Sequence, residues 1–183
     1  MQFNHSHLIL DACCVLNFSA SGRFVEIIRS VPAKVVVTQV VMDRELLSLQ
    51  RLVEEGHADS WQFQEAIDQG ILLVEDFCAE HEEETFLGYA FVLGDDGESA
   101  TGAIAIHREW AIATDDRQAI SFFRKEAPGL QIISTLEIIK HWSEISNVSS
   151  AELRAVLLNI RSRGRYAPHR HHPLLRWWEG IIH

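Results

Sequence analysis

The order of apolar and polar positions along the chain alternates between the period of a strand and the period of a helix. Short apolar runs at residues 8–10, 34–37, 71–74, 110–114 and 130–133 predict buried strands. Between these runs, apolar residues recur at spacings of three and four, which predicts amphipathic helices. Because strands and helices alternate throughout, we expect an α/β fold with a mostly parallel sheet, right-handed crossovers and helices on both faces.

Capping and turn residues predict where several of these helices begin and end. Thr38 and Ser134 each precede a helical pattern, and their hydroxyls can accept hydrogen bonds from first-turn amides. A cluster of small residues at 19–22 predicts a turn between helices at 12–18 and 24–28. Further helices are predicted at 58–69, 80–93, 117–125 and 151–161.

Length and composition predict one globular domain with a terminal extension. The chain has 183 residues, of which 47% are hydrophobic, enough for a packed core. We assign residues 1–145 to the α/β domain and residues 146–183 to a helical, basic extension. The first apolar run is stopped by Asp11 and no basic segment precedes it, so neither a signal peptide nor a membrane helix is expected. We expect a cytoplasmic location.

The net charge of −10 is unevenly distributed. Residues 151–183 contain six Arg and two Glu, a net charge of +4, so the rest of the chain carries −14. An acidic body argues against nucleic-acid binding through a broad basic face. The basic residues of 161–173, with Tyr166 and the Trp pair that follows, could instead contact RNA phosphates and stack on a base. Alternatively, a carboxyl-terminal helix docks Leu174, Leu175 and Trp178 on the core or on a partner.

The cysteines predict neither a disulfide framework nor a zinc site. Cys13, Cys14 and Cys78 are odd in number, and no two of them form a Cys-x-x-Cys pair. We interpret them as small buried apolar residues.

Several acidic residues follow predicted strands or lie at helix starts: Asp11, Asp43 or Glu45, Glu98, Asp115 and Asp116. Asp11 ends the first strand and Asp115 a later one, and the carboxyl ends of parallel strands share one edge of a sheet, where ligands bind. Crowded carboxylates raise each other's pKa unless a cation intervenes, and such oxygen ligands suit Mg²⁺ or Mn²⁺. A site of this kind fits phosphodiester hydrolysis by a metal-activated water.

Each of these acids also has a purely structural interpretation. Asp11 and Asp116 could cap the helices that follow them, and Glu98 could be an ordinary acid of a first helical turn. Asp43 and Glu45 could be solvated helix residues, and the sequence does not choose between them as the site acid.

Four fragments occur together in an order that resembles a known family. They are Leu8-Ile9-Leu10-Asp11-Ala12, Arg44-Glu45-Leu46-Leu47, Gly97-Glu98-Ser99-Ala100-Thr101 and Ala113-Thr114-Asp115-Asp116-Arg117-Gln118-Ala119. Their order and approximate spacing are similar to those of the PIN domain, a family of metal-dependent nucleases. The resemblance covers roughly residues 7–140.

The resemblance implies a three-layer α/β/α sandwich with a five-stranded parallel sheet, and cleavage of single-stranded RNA by a Mg²⁺ or Mn²⁺ site. By this analogy Asp11, Glu98 and Asp115 hold metal, Glu45 completes the acidic set, and Asp116 assists or lies just outside it. Many bacterial members are toxins silenced by a small antitoxin. The expected partners are therefore RNA and an antitoxin, another protein or a second copy of the chain, with no membrane. The longer segment 53–92 and the tail after 145 depart from a compact toxin.

Two other functions remain open from the sequence. One is a catalytically silent PIN-like module that binds or assembles with a partner. The other is a phosphoacceptor receiver domain, suggested by the apolar run and acids at 71–76 and by Asp115-Asp116. A receiver carries its acid pair after the first strand, whereas the first strand here is followed by Asp11, Ala12 and Cys13.

Overall fold

A five-stranded parallel sheet forms the centre of the protein in a computed structural model, which describes residues 3–43 and 60–183. Its strands are β1 (His7–Leu10), β2 (Lys34–Thr38), β3 (Leu72–Glu75), β4 (Ala111–Ala113) and β5 (Ile132–Ile133). They lie in the order β3-β2-β1-β4-β5, and every neighbouring pair is parallel. The predicted α/β class with a five-stranded parallel sheet is confirmed.

Nine complete helices connect and cover these strands in the described part of the chain. They are α1 (Ala12–Ser21), α2 (Phe24–Ser30), α3 (Ser60–Asp68), α4 (Glu80–Leu93), α5 (Asp96–Arg108), α6 (Arg117–Glu126), α7 (Thr135–Ile145), α8 (Ser150–Ser162) and α9 (Leu175–Ile182). Residues 39–43 are also helical, and the hydroxyl of Thr38 accepts a hydrogen bond from the backbone amide of Val41 at 3.0 Å. The predicted caps at Thr38 and Ser134 are both formed.

The helices form one layer on each face of the sheet. Along β1, Leu8 and Leu10 point to one face and Ile9 to the other, as the strand period requires. Leu8 and Leu10 pack with buried residues of α1, α2, α3, α7, α8 and α9. Ile9 packs with buried residues of α4, α5 and α6. The result is the predicted three-layer sandwich.

The carboxyl-terminal extension packs into the first of these layers. Leu157 and Ile160 of α8 and Trp178 of α9 are buried in the same cluster as Phe18 of α1. Leu174 is partly buried against that cluster. This arrangement matches the interpretation in which the last helix docks on the core.

The order of the strands in the sheet changes direction between β1 and β4. From β1 the chain builds outward through β2 to β3, then returns to place β4 on the other side of β1 and β5 beyond it. In doubly wound sheets, ligands bind outside the carboxyl ends of the strands at such a switch point. A receiver-type sheet has the order 2-1-3-4-5, so the receiver interpretation is wrong.

Helix α1 ends later than the sequence predicts. The turn predicted at 19–22 is wrong, because α1 continues through Ser21, with Ser19 and Ala20 buried, and ends where Gly22 adopts a φ of 73°. Only glycine adopts this left-handed conformation at little cost, so it stops the helix here.

Among residues 3–43 and 60–183, no helix combines the length and the apolar character needed to cross a bilayer.

Candidate functional site

Asp11 lies at the switch point and is almost fully buried, with 2% of its surface exposed. Its backbone amide continues the β1–β4 ladder by donating to the carbonyl of Ala113 at 3.0 Å. Its carboxylate accepts hydrogen bonds from the Ala12 amide at 2.7 Å, the Thr114 hydroxyl at 2.9 Å and the Cys13 thiol at 3.2 Å. Burial raises the pKa of Asp11, and the negative charge of Asp95 adds to the effect. The helix-cap interpretation of Asp11 is therefore correct, but it leaves a buried carboxylate at the sheet edge.

Asp115 follows β4 and its carboxylate is held by four side-chain or backbone groups. One oxygen accepts from the Thr135 amide at 3.2 Å and the Tyr166 hydroxyl at 3.3 Å. The other accepts from the side-chain amide of Asn17 at 3.4 Å and lies 3.9 Å from the thiol of Cys14. Burial raises the pKa of Asp115, while the hydrogen bonds from Thr135 and Tyr166 lower it. Asp11 and Asp115 thus end the two strands that flank the switch point.

Glu98, in the first turn of α5, lies near enough to Asp11 and Asp116 for their charges to act on it. Asp95 caps this helix by accepting from the Glu98 amide at 2.9 Å, which fixes Glu98 in the first turn. Its carboxyl has a pKa raised from 4.5 to about 8 by burial and by the negative charges of Asp11, Asp116 and Asp95. The predicted metal ligands Glu98 and Asp115 line one cavity, and Glu98 and Asp11 are near enough for their charges to interact. Among the described residues, however, Asp11, Glu98 and Asp115 do not form a group whose oxygens all lie within 4.8 Å of one another.

Asp116 has a structural role in addition to its proximity to the site. One of its carboxylate oxygens accepts from the amides of Gln118 at 2.7 Å and Ala119 at 2.8 Å, so it caps α6. Its own amide donates to the hydroxyl of Thr114 at 3.1 Å. The same hydroxyl donates to Asp11, and Thr114 thereby ties the two acids together.

The two alternative acids of the helix after β2, Asp43 and Glu45, are not placed at the site by the described residues. Asp43 is exposed, and its carboxylate accepts from the side-chain amide of Gln39 at 2.7 Å. Glu45 lies outside the described residues.

A cavity of about 790 Å³ opens beside these acids. Glu98, Asp115 and Asp116 line it on one side. Basic residues from α6 and from the extension line it as well: Arg117, Arg124, Arg165, His169, His171 and His172. Within residues 3–43 and 60–183, none of the three arginines forms an ion pair. Carboxylates and unpaired guanidinium groups therefore share one cavity.

The extension reaches the site through a tight turn after α8. A β-carbon on Gly164 would lie 2.8 Å from the carbonyl oxygen of Ile160 and 3.0 Å from the side-chain oxygen of Asn17, so glycine is needed there. Two residues later, Tyr166 packs edge-on against Trp178 of α9, with ring centroids 5.9 Å apart. This packing holds the Tyr166 hydroxyl against Asp115, and burial followed by the charge of Asp115 raises the pKa of Tyr166.

Sequence reasoning missed the residues that hold the acids in place. Asn17 is 3% exposed within an otherwise apolar helical stretch, and its amide also donates to the Thr135 hydroxyl at 3.2 Å. A polar side chain on an apolar helical face was a signal that could have identified Asn17. Stacking of Tyr166 or a Trp on an RNA base was one of two alternatives from the sequence, and only the folded extension brings Tyr166 to Asp115.

Asp11, Glu98 and Asp115 form no ion pair with any Lys, Arg or His of residues 3–43 and 60–183. Removing negative charges from water without a partner is costly, and it explains why the pKa values of all three are raised. A cation bound beside these carboxylates would relieve this electrostatic cost.

Compared with known proteins, the chain matches no protein-family model and no curated protein sequence. A functional proposal for this chain therefore rests on the geometry of the site and on the chemistry of its residues.

Proposed function

We propose that this protein is a Mg²⁺- or Mn²⁺-dependent nuclease that hydrolyses phosphodiester bonds in single-stranded RNA. The observation that carries the proposal is that Asp11 and Asp115 follow the two strands that flank the switch point, while the charge of Asp11 reaches Glu98. None of the three forms an ion pair among the described residues. Each of these carboxyls has a raised pKa, which is the electrostatic condition that a bound cation relieves.

The donor set fits the proposed metal. Mg²⁺ and Mn²⁺ prefer carboxylate oxygens and water, and Mg²⁺ is commonly held by only one or two protein carboxylates. Asp11, Glu98 and Asp115 would hold the ion, as the PIN resemblance implies, and Glu45 would complete the acidic set. A divalent ion bound there supplies an activated water and stabilises negative charge on the leaving oxygen.

The residues around the acids have positioning roles in this proposal. Thr114 orients Asp11 by a hydrogen bond of 2.9 Å, and Thr135 and Asn17 orient Asp115. Asp116, already engaged by two amides of α6, holds the chain that carries Asp115 and adds negative charge beside Glu98.

The cavity supports a phosphate-containing substrate. Arg117, Arg124 and Arg165 line the same cavity as the acids and form no ion pair within the described residues. Guanidinium groups bind phosphate oxygens through paired N–H donors. A strand of RNA could therefore place one phosphate near the acids while its neighbours contact these arginines.

The test is cleavage of labelled single-stranded RNA by the purified chain in Mg²⁺ or Mn²⁺, with single-stranded DNA as a parallel substrate. We expect metal-dependent cleavage that EDTA abolishes. Asp11→Asn and Asp115→Asn should each abolish it as well, because each removes a charge that the metal requires, and both variants should retain the wild-type circular dichroism spectrum. Full activity in both folded variants would overturn the assignment of the site.

A second candidate is a catalytically silent PIN-like binding module. It is favoured by the crowding of the Asp115 carboxylate, which already accepts hydrogen bonds from Tyr166, Thr135 and Asn17. A site built for metal would need Asp115 to exchange some of these contacts for an ion. Calorimetric titration with Mn²⁺ separates the two functions, since a silent module binds no Mn²⁺ and the nuclease loses binding on Asp11→Asn.

The role as the toxin of a toxin–antitoxin pair stays a prediction with its own test. Expression of the intact chain should arrest growth of a bacterial host, and expression of the Asp11→Asn variant to the same level should not. Equal growth under both conditions would contradict the toxin role and leave the nuclease proposal to the cleavage assay.

A further inference from the structure

Two adjacent cysteines place their sulfur atoms near the carboxylate of Asp115. Cys13 and Cys14 occupy the first turn of α1, directly after Asp11. Their sulfur atoms and one carboxylate oxygen of Asp115 all lie within 4.8 Å of one another. Both thiols are free, and so is Cys78, which is exposed.

The contacts of these thiols are more polar than a purely apolar role would give. The Cys13 sulfur donates to Asp11 at 3.2 Å and accepts from the backbone amide of Asp115 at 3.4 Å. The Cys14 sulfur donates to Asp115 at 3.9 Å and accepts from the Thr135 hydroxyl at 3.4 Å. Cys14 is fully buried, yet it belongs to this polar cluster as well as to the core. The spacing of the cysteines does not reveal this cluster, because no two of them form a Cys-x-x-Cys pair.

The spacing of these atoms suits a small thiophilic ion. Zn²⁺ binds sulfur at about 2.3 Å in tetrahedral geometry, so two sulfur ligands of one ion lie about 3.8 Å apart. A group already within 4.8 Å would need only a small side-chain movement to reach that distance. Thiolate ligands favour Zn²⁺ and disfavour Mg²⁺, which prefers oxygen.

We infer that Cys13, Cys14 and Asp115 form a binding site for a thiophilic divalent cation of the Zn²⁺ class, which shares Asp115 with the carboxylate site proposed above but takes its other two protein ligands from sulfur. Binding replaces each thiol S–H bond with a sulfur–metal bond and releases both protons to solvent. Cys13 and Asp115 line the cavity of about 790 Å³, so the ion can enter from it and take water as its fourth ligand. Because both sites use Asp115, an ion held by the thiols would compete with Mg²⁺ or Mn²⁺.

The test uses Cd²⁺, a thiophilic substitute for Zn²⁺ whose bond to thiolate gives an ultraviolet charge-transfer band. The intact chain is titrated with Cd²⁺, and Zn²⁺ is then added to displace it. We expect the band to saturate at one equivalent of Cd²⁺ and to disappear as Zn²⁺ replaces it. Histidines of the extension give no such band, so their binding is not mistaken for the thiol site.

Cysteine variants identify the ligands. Cys78→Ser is the matched control, because it removes an exposed thiol and should leave the titration unchanged. Cys13→Ser should remove the saturable band, and Asp115→Asn should weaken Cd²⁺ binding about 100-fold, since even substitutions outside the ligand shell cost roughly 10–100-fold in metal affinity. Cys13 is the better choice than Cys14, because it is partly exposed whereas Cys14 is fully buried in the core.

Each outcome of this titration decides the inference. No band in the folded wild-type chain, or a band that survives Cys13→Ser and disappears in Cys78→Ser, would overturn it. The measurement needs neither RNA nor Mg²⁺, so an inactive protein that binds Cd²⁺ would contradict the nuclease proposal alone, and an active protein without the band would contradict the thiol site alone.

Discussion

Two buried carboxylates in this protein, Glu82 and Asp11, have pKa values that are shifted in opposite directions. Glu82 of α4 is 1% exposed, and the guanidinium of Arg108 contacts both of its oxygens, at 2.7 and 2.9 Å. These hydrogen bonds lower the pKa of Glu82 from 4.5 to about 2. Asp11 is 2% exposed and has no cation among the described residues, and its pKa is raised.

The difference separates a structural acid from a candidate functional one. Arg108 also donates to Glu75 at 3.0 Å and to the carbonyl of Asp76 at 2.7 Å, and thus joins α4 and α5 to the end of β3. In this cluster the guanidinium of Arg108 neutralises the carboxylates of Glu82 and Glu75. At the switch point, Asp11, Glu98 and Asp115 form no ion pair among the described residues, although basic side chains line the same cavity.

The largest effect on stability is expected at the structural pair. Arg108→Met keeps an apolar stem but leaves Glu82 buried without a cation, and such broken pairs typically cost about 3–5 kcal/mol. We expect a loss of that size in the free energy of unfolding, measured by urea denaturation at neutral pH.

The matched control is the double variant Arg108→Met, Glu82→Gln. Because neither partner is then charged, most of the lost stability should return. A loss below about 1 kcal/mol in the single variant would place the pair among weak surface ion pairs and would contradict the comparison.

The second effect concerns the uncompensated acids and appears as a dependence on pH. Glu98 has a folded-state pKa of about 8 against an ordinary 4.5, so the folded state binds more protons between these values. Its contribution to stability is present below about pH 4.5 and is lost as pH rises through 8. Glu98 is only partly buried, so solvent screens its charge and we expect a loss of roughly 1 kcal/mol over this range. The melting temperature of the metal-free protein should therefore fall by about 2–4 °C for a chain of this size.

Glu98→Gln tests whether this carboxyl is the source, because it should flatten the pH dependence. Saturating Mg²⁺ should flatten it in the wild type if the proposed ion neutralises the acids. A pH profile that Glu98→Gln leaves unchanged would show that the charge of Glu98 is already compensated.

Parts of this comparison could be predicted from sequence, because they depend on local patterns. Apolar runs bounded by turn residues marked all five strands, and the common direction of parallel strands placed Asp11 and Asp115 at one edge. The pairing of β1 with β4 could not be predicted, since it joins segments about 100 residues apart in the chain. For the same reason, neither the partners of Glu82 nor the contact of Tyr166 with Asp115 could be read from spacing.

The smallest effect is expected at the cationic side of the cavity. Arg165 lines the cavity, whereas its neighbour Arg163 does not, so the two arginines form a matched pair on one short segment. If Arg165 contacts an RNA phosphate, Arg165→Gln should reduce the slope of the logarithm of affinity against the logarithm of salt concentration by about 0.7, the value for one contact to a single strand. Arg163→Gln should leave the slope unchanged.

Fluorescence anisotropy of labelled RNA over a range of KCl concentrations, in the Asp11→Asn background to prevent cleavage, measures the slope for each of the two variants. Equal slopes in the two variants would remove Arg165 from the RNA surface.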